Sequence, residues 1–113
     1  MNAWPFWHVT ITVAGDDVPE SVIRVGLESL SHEHPFLLSG RYGKDRAEIR
    51  YWEEAPDAGT VTRLGLSLWE EHAASAGLPD WHVVGIEVVD RDTFHARGRI
   101  PLAPVSLVGV APF

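Results

Sequence analysis

Residues 7 to 14 read WHVTITVA, and this stretch decides the fold because apolar and polar side chains alternate along it. A period of two is typical of a strand with one buried face and one open face. The side chains of the predicted buried face are Val9, Ile11 and Val13. Those of the predicted open face are His8, Thr10 and Thr12.

Two stretches with helical periodicity follow. The first, residues 18 to 34, has Pro19 at its start and an apolar stripe that consists of Val22, Ile23, Gly26, Leu27 and Leu30. The second, residues 56 to 79, has Thr60 as its capping residue and Gly77 as its stop signal. Its apolar face consists of Val61, Leu64, Leu68 and Ala76. We interpret the Trp-Glu-Glu run that begins at Trp69 as part of a solvated helix face.

Three further strands complete the predicted sheet. Residues 36 to 42 and 46 to 55 form a hairpin, and residues 81 to 90 form a β-branched last strand. The order β-α-β-β-α-β resembles the ferredoxin-like arrangement over about residues 7 to 90. That resemblance implies an α+β fold with a four-stranded antiparallel sheet and both helices on one face, and it carries no function. Right-handed crossovers further predict strands 1 and 3 as parallel neighbours in the middle, with strand 4 beside strand 1 and strand 2 beside strand 3.

The C-terminal region loses periodicity. Residues 91 to 113 contain three prolines, so we predict one domain over residues 1–98 and an extended apolar tail over residues 99–113. The tail is expected to pair with a strand edge or to lie across an apolar patch, because too many of its side chains are apolar to remain in solvent. These side chains are Val105, Leu107, Val108 and Val110.

Strand parity assigns an unusually apolar set of side chains to the open face of the sheet. The predicted partner-binding residues are Trp52, Trp81, Arg50, Arg41, Leu37, Val83, His8 and Thr10. Contiguous apolar surface of this kind marks an interface or a ligand floor. Our first hypothesis is therefore a non-catalytic protein-interaction module that forms a homodimer through the open face.

Two other classes of function stay open. One is a dimeric α+β-barrel-type small-molecule enzyme or binding protein, whose pocket between sheet and helices is lined by Tyr42, Tyr51 and His82. The other is an acidic decoy or immunity-type protein that blocks a basic partner. A large enclosed pocket with convergent polar groups favours the enzyme, whereas loss of binding at moderate salt favours the decoy.

The pair Trp7-His8 is repeated as Trp81-His82. The stretch from His8 to Thr10 resembles half of the paired His-x-Thr motif of the two-histidine phosphoesterases, but the stretch that begins at His82 lacks the second hydroxyl. Strands 1 and 4 are predicted to be antiparallel, so the two histidines are expected at opposite ends of the sheet, with His82 on the helix side. We interpret the repeat as two strand beginnings.

Composition weighs against several other classes. The chain has no cysteine, which removes disulfides and thiolate metal sites and favours the cytoplasm. Its formal charge of −7 repels polyanions and weighs against nucleic-acid binding. No run approaches the length of a membrane span, so no membrane partner is predicted. His32 and His34 supply only two metal ligands at a sensible spacing, so we predict no metal and no cofactor.

Overall fold

The computed structural model describes residues 3–33, 37–98 and 109–113, and over these ranges the fold is α+β with three helices and a five-stranded sheet. The strands are β1 (Phe6–Ala14), β2 (Leu37–Tyr42), β3 (Arg46–Glu54), β4 (His82–Asp90) and β5 (Gly109–Pro112). The helices are α1 (Glu20–Glu33), α2 (Ala58–His72) and α3 (Arg91–Gly98). None of these described helices is long and apolar enough to cross a membrane.

The sheet has the strand order β4-β1-β3-β2-β5. β1 and β3 lie side by side in the middle, with β4 beside β1 and β2 beside β3, as predicted. The predicted parallel pairing of β1 and β3 is wrong, because these two strands are antiparallel. The α1 crossover makes β2 run in the direction of β1, and the hairpin then reverses β3, which lies between them. A fifth strand, β5, pairs in parallel with β2. The sheet is therefore mixed and five-stranded, not four-stranded and antiparallel.

The core lies between the sheet and helices α1 and α2. Val9, Ile11 and Val13 are the central side chains of the core, with exposures of 0%, 1% and 0%. Burying an aliphatic side chain of this size stabilises a fold by roughly 1.5–3 kcal/mol. On the helix side they meet fully buried residues of α1 and α2, which include Ile23, Leu27, Leu30 and Val61.

The helix faces differ from the predicted stripes at a few positions. Val22 of α1 and Leu64 of α2 are exposed, although both were assigned to an apolar stripe. Trp69 of α2, which was assigned to a solvated face, is buried. The N-cap of α2 is Asp57 instead of Thr60, because Asp57 Oδ1 accepts the Thr60 backbone N–H at 2.7 Å. The indole Nε1 of Trp69 donates to the Trp81 carbonyl oxygen at 2.7 Å, so Trp69 belongs to the core and not to a solvated face.

A β-bulge in β4 changes which of its side chains face the helices. Thr12 of β1 pairs with Gly85 and Val13 pairs with Val83, so Val84 is an extra residue between them. Val83 consequently shares the helix side with Val13, and Val84 is 63% exposed. Simple alternation along the strand predicted Val83 on the open side and Val84 on the helix side. Both predictions are wrong, because side chains do not alternate through a bulge.

The same bulge reverses the predicted positions of Trp81 and His82. Trp81 is 4% exposed and packs in the core, where its Nε1 donates to the Asp16 carbonyl oxygen at 2.9 Å. His82 is exposed and lies opposite Ala14, on the open side of the sheet. Trp81 therefore does not belong to the open face, and His82 does not belong to the helix face.

Helix α3 follows β4 directly, in the region for which we predicted no regular structure. Asp90 Oδ1 accepts the Thr93 N–H at 2.7 Å and caps the first turn. The helix has one large apolar side chain, Phe94, and therefore no apolar stripe. Without such a stripe, the sequence pattern gives no sign of a helix. Of the predicted tail, residues 109–113 pair with or follow the edge of β2, whereas residues 99–108 lie outside the described residues.

Candidate functional site

Three rings lie together on the open face of the sheet. The register of β1 and β3 places His8 opposite Trp52, and the two rings meet edge-on with centroids 5.2 Å apart at 74°. Phe94 of α3 stacks on the His8 ring at 4.2 Å and 30°, and it meets Trp52 edge-on at 4.9 Å. Helix α3 therefore covers part of the face that we expected to be free.

The His8 imidazole is held neutral by its surroundings. The residue is 5% exposed, and burial is the first cause that lowers its pKa below 6.5. The guanidinium groups of Arg50 and Arg97 lower the pKa further, while the Glu87 carboxylate opposes them. At neutral pH the imidazole that stacks on Phe94 is therefore uncharged.

The open face also carries charged and hydroxyl side chains beside the three rings. Arg50 donates through Nε and Nη2 to one carboxylate oxygen of Glu48, at 2.9 and 2.7 Å. Arg97 of α3 reaches Glu87 of β4 at 2.7 Å. Thr10 lies between Glu87 and Arg50 in the strand register, and Arg41 lies opposite Glu48. Of the predicted partner-binding set, the structure brings five residues together here, namely His8, Thr10, Arg41, Arg50 and Trp52.

Two of the other three predicted partner-binding residues, Trp81 and Val83, are not brought to this face. Trp81 and Val83 face the core for the reasons given above. Leu37 is in register with Tyr51, on the far side of a register shift that separates it from Ser39. Of the two tryptophans that parity assigned to the apolar patch, Trp52 lies on this face and packs against Phe94, and Trp81 does not.

The three residues of the candidate pocket do not share one cavity. Tyr42 and Tyr51 are buried in the core, and His82 is exposed. The Tyr51 hydroxyl is buried without a hydrogen-bond partner among the described residues. Burial, and then the Glu53 carboxylate, raise the pKa of this hydroxyl, so it stays protonated.

A groove of about 620 Å³ runs between the C-terminal half of α2 and the start of β4. It is open to solvent, and its apolar lining consists of Leu66, Trp69, Ala73, Ala74, Leu78, Pro79, Trp81 and Val83. Its polar lining consists of Glu70, Asp80 and His82. An enclosed pocket was the feature expected of a small-molecule enzyme, and this groove does not have that shape.

The outer edge of β4 has no paired strand among the described residues. Val83, Ile86 and Val88 of β4 are half-buried, although each lies beside a β1 residue that is almost fully buried. The difference arises because β1 has a strand on each side and β4 has a strand on one side only. Sequence reasoning placed strand 4 at the edge, but alternation alone gave no sign of how much of its apolar face stays uncovered.

The histidines at the end of α1 do not form a metal centre in the part of the chain that is described. His32 is exposed, and His34 lies outside the described residues. No group of three or more His, Cys, Asp or Glu side chains that could hold a metal occurs among the residues with described positions.

Comparison with known proteins identifies a family. A search of the curated proteins finds no match. The model of a domain family of unknown function, DUF8830, matches residues 6–103, a span that begins with β1 and includes α3. Because this match covers well over half of the chain, the chain belongs to the DUF8830 family of domains of unknown function.

Proposed function

We propose that this chain is a protein-interaction module that forms a homodimer through the outer edge of β4. The observation that carries the proposal is the contrast between the buried apolar residues of β1 and their half-buried neighbours on β4. An edge strand also presents a row of unpaired backbone N–H and C=O groups, which is a template for pairing with another chain. We place this function in the cytoplasm, in keeping with a chain that has no cysteine.

The β4 edge is complementary to itself. A two-fold interface brings the same strand of both copies together, so its residues must match one another. Antiparallel pairing centred on Ile86 places Ile86 opposite its own copy. If the bulge at Val84 is retained, Val83 then lies opposite Val88 of the partner subunit, and apolar side chains meet along the helix side of a continuous sheet.

Apolar surface beside the edge supports the same interface. Val84 is exposed in the bulge, and Leu66 of α2 is exposed at the groove beside the start of β4. The open face, which was our first hypothesis for the dimer, lacks two of its predicted apolar residues, because Trp81 lies in the core and Val83 faces the helix side, and its Trp52 packs against Phe94. We therefore assign the dimer to the edge rather than to the face.

A lysine on the edge tests the proposal. We expect the wild-type protein to sediment as a dimer at tens of micromolar, and Val84→Lys to sediment as a monomer, because a charged edge residue opposes strand pairing. Val84 is 63% exposed, so the variant is expected to keep its circular dichroism spectrum. Val25→Lys is the matched control, since Val25 is 58% exposed on α1, away from β4.

Two results would contradict this interface. A wild-type protein that remains monomeric at these concentrations would remove the homodimer. A Val84→Lys variant that dimerises as tightly as Val25→Lys would place the interface elsewhere.

A further inference from the structure

We propose that the groove between α2 and the start of β4 is covered by α2 of a second copy, so that two copies pair through helices as well as through strands. The inference rests on the homodimer proposed above and deepens it, because it names what covers the groove. The groove is open to solvent, and it lies beside the edge of β4 that no described strand pairs with. A partner that joins this edge therefore arrives next to the groove.

Gly65 fixes where α2 lies relative to the proposed two-fold axis. A Cβ atom at Gly65 would lie 2.9 Å from Ile86 Cδ1 of β4 and 3.4 Å from Ile11 Cδ1 of β1, so the middle of α2 lies over these two paired strands. Ile86 is the residue that meets its own copy in the proposed strand pairing, so the axis passes close to Gly65.

The two copies of α2 then lie at packing distance. Antiparallel pairing of β4 with its own copy keeps both α2 helices on the same side of the continuous sheet. Neighbouring strands are about 4.8 Å apart, so helices over the two β4–β1 pairs are separated by about two strand spacings, roughly 10 Å. Helices that pack against each other have axes about 8–10 Å apart. Contact between the two copies of α2 is therefore expected.

The face of α2 beside the groove is complementary to itself. The groove residues of α2 include Leu66, Glu70 and Ala73. At about 3.6 residues per turn, the same face continues towards the N-terminus of α2 through Arg63 and Gly59. In an antiparallel pair centred on Leu66, this leucine meets its own copy, and Gly59 lies opposite Ala73 of the partner subunit. Small residues at both ends of the contact let the two helices approach closely.

Charge complementarity favours this occupant. The groove is lined by Glu70 and Asp80 but by no described lysine or arginine, and neither carboxylate has an ion pair within the described ranges. Pairing centred on Leu66 brings Arg63 of the partner subunit to within one residue of the position opposite Glu70. Arginine has an apolar stem and a charged head, which suits a groove that has an apolar lining and carboxylates beside it.

Arg63 is available to a partner. It is exposed, and its Nη2 donates to the Thr60 hydroxyl within the same helix at 3.2 Å. Asp57 lies close enough to be affected by the Arg63 charge, but these two side chains form no ion pair in the described part of the chain. Exposed contacts of this kind contribute little to stability, so their exchange for a contact with the second copy costs little.

Cysteine cross-linking tests the helix pair, because the chain has no cysteine of its own. Leu66→Cys places a thiol at the centre of the proposed pair, and we expect a short bis-maleimide to join two copies. Leu64→Cys is the matched control, since Leu64 and Leu66 are 44% and 37% exposed on the same helix. Two residues turn about 200° around a helix, so we expect Leu64→Cys to cross-link at least about tenfold more slowly.

A charge swap tests the ion pair. Glu70→Arg places like charges opposite each other at both ends of the helix pair, so we expect its dimer dissociation constant to rise at least about fivefold in sedimentation. Arg63→Glu/Glu70→Arg restores opposite charges, and we expect its dissociation constant to lie within about twofold of the wild type. Glu71→Arg is the control, because it changes the charge equally at an exposed α2 residue that does not line the groove.

The outcomes separate this inference from the pairing of the β4 edges. If Val84→Lys is a monomer but Leu66→Cys cross-links no faster than Leu64→Cys, the strand pairing stands and the helix pair is overturned. A double variant that binds as weakly as Glu70→Arg would also overturn the helix pair. If Leu66→Cys cross-links and the double variant recovers while Val84→Lys stays dimeric, the helix pair stands and the strand pairing fails. A wild-type monomer whose Leu66→Cys variant does not cross-link overturns both.

Discussion

His8 shows how one residue couples the sheet to α3. The Phe94 ring of α3 stacks on the His8 ring of β1. Two arginines, Arg50 and Arg97, lie close enough to disfavour the protonated form of His8. Protonation would place a positive charge under α3 beside Arg50 and Arg97, where the Glu87 carboxylate opposes them. The packing of α3 is therefore expected to depend on pH.

The direction of this pH dependence follows from the lowered pKa. The unfolded chain has the ordinary histidine pKa of 6.5, and the folded chain has a lower one, so the unfolded state binds more protons between the two values. The contribution of His8 to the free energy of unfolding is therefore fully present above pH 6.5. It decreases as the pH falls below 6.5 towards the pKa of His8 in the folded protein. Urea unfolding at pH 8 and pH 5 measures this fall. We expect a smaller fall in His8→Phe, which keeps the stacked ring, and an equal fall in the two proteins would contradict the assignment.

Gly65 of α2 marks a close approach of helix and sheet. A Cβ atom at this position would lie 2.9 Å from Ile86 Cδ1 and 3.0 Å from the Tyr51 hydroxyl. Alanine favours a helix by about 1 kcal/mol over glycine, but overpacking a core costs about 1–3 kcal/mol. We therefore expect Gly65→Ala to lower the free energy of unfolding in urea. Gly59→Ala, in the first turn of the same helix, meets only ordinary contacts at 3.5 Å or more and is not expected to destabilise.

At the level of elements, α3 is the least firmly attached helix of the described chain. Phe94 is its only residue that is even half-buried among Arg91–Arg97, and the rest of these residues are exposed. It is further attached by the Asp90 cap and the Arg97–Glu87 ion pair, both on the surface, and by a tilted ring contact of His95 with Trp52. A helix of this length has little intrinsic stability and depends on packing.

Phe94→Ala is therefore expected to detach α3 while the sheet and the other helices stay folded. The cost is expected to be below the about 3–5 kcal/mol typical of a fully buried phenylalanine, because Phe94 is only half-buried. Amide hydrogen exchange gives the readout, with loss of protection confined to α3. Arg91→Ala, which removes an exposed side chain and keeps both the ring stack and the Asp90 cap, should preserve that protection. A Phe94→Ala protein with a protected α3 would show that other contacts hold the helix.

The elements that could be predicted from sequence are those with a clean period. β1 and α1 have such patterns, and their core residues Ile11 and Leu27 lie where the pattern places them. The candidate site was predicted less well, because the extra residue Val84 reverses parity before it reaches Trp81. Phe94 was missed for a different reason, since a helix that is held by one side chain has no period to detect.

At the scale of the whole molecule, the two edges of the sheet are treated differently. The outer edge of β2 is covered by β5, where Val110 packs against the core and the Phe113 N–H donates to the Tyr42 carbonyl oxygen at 3.0 Å. The outer edge of β4 has no such cover among the described strands. β5 is itself an edge strand, but it has only four residues and ends at Pro112, and short edge strands with proline are poor templates for pairing. If two copies associate through the β4 edge as proposed, the β5 edge is therefore not expected to extend the assembly beyond a pair.

Deletion of residues 109–113 tests the closure of the β2 edge. We expect a lower free energy of unfolding and assemblies larger than a dimer, because the deletion replaces the short edge strand β5 by the longer edge strand β2. Urea unfolding and sedimentation measure the two effects. Phe113→Ala keeps β5 and should change neither by much, and a deletion variant with unchanged stability and mass would show that β5 does not protect the sheet.

The central position of β1 has a consequence for synthesis on the ribosome. β1 precedes both of its partner strands in the chain, since it ends at Ala14 and β3 and β4 begin at Arg46 and His82. At about 5–20 residues per second, the nascent chain needs seconds to reach β3 and longer to reach β4. During that interval Val9, Ile11 and Val13 have no sheet to join, so these side chains, which are almost fully buried in the native protein, are expected to stay exposed until β3 and β4 have been made.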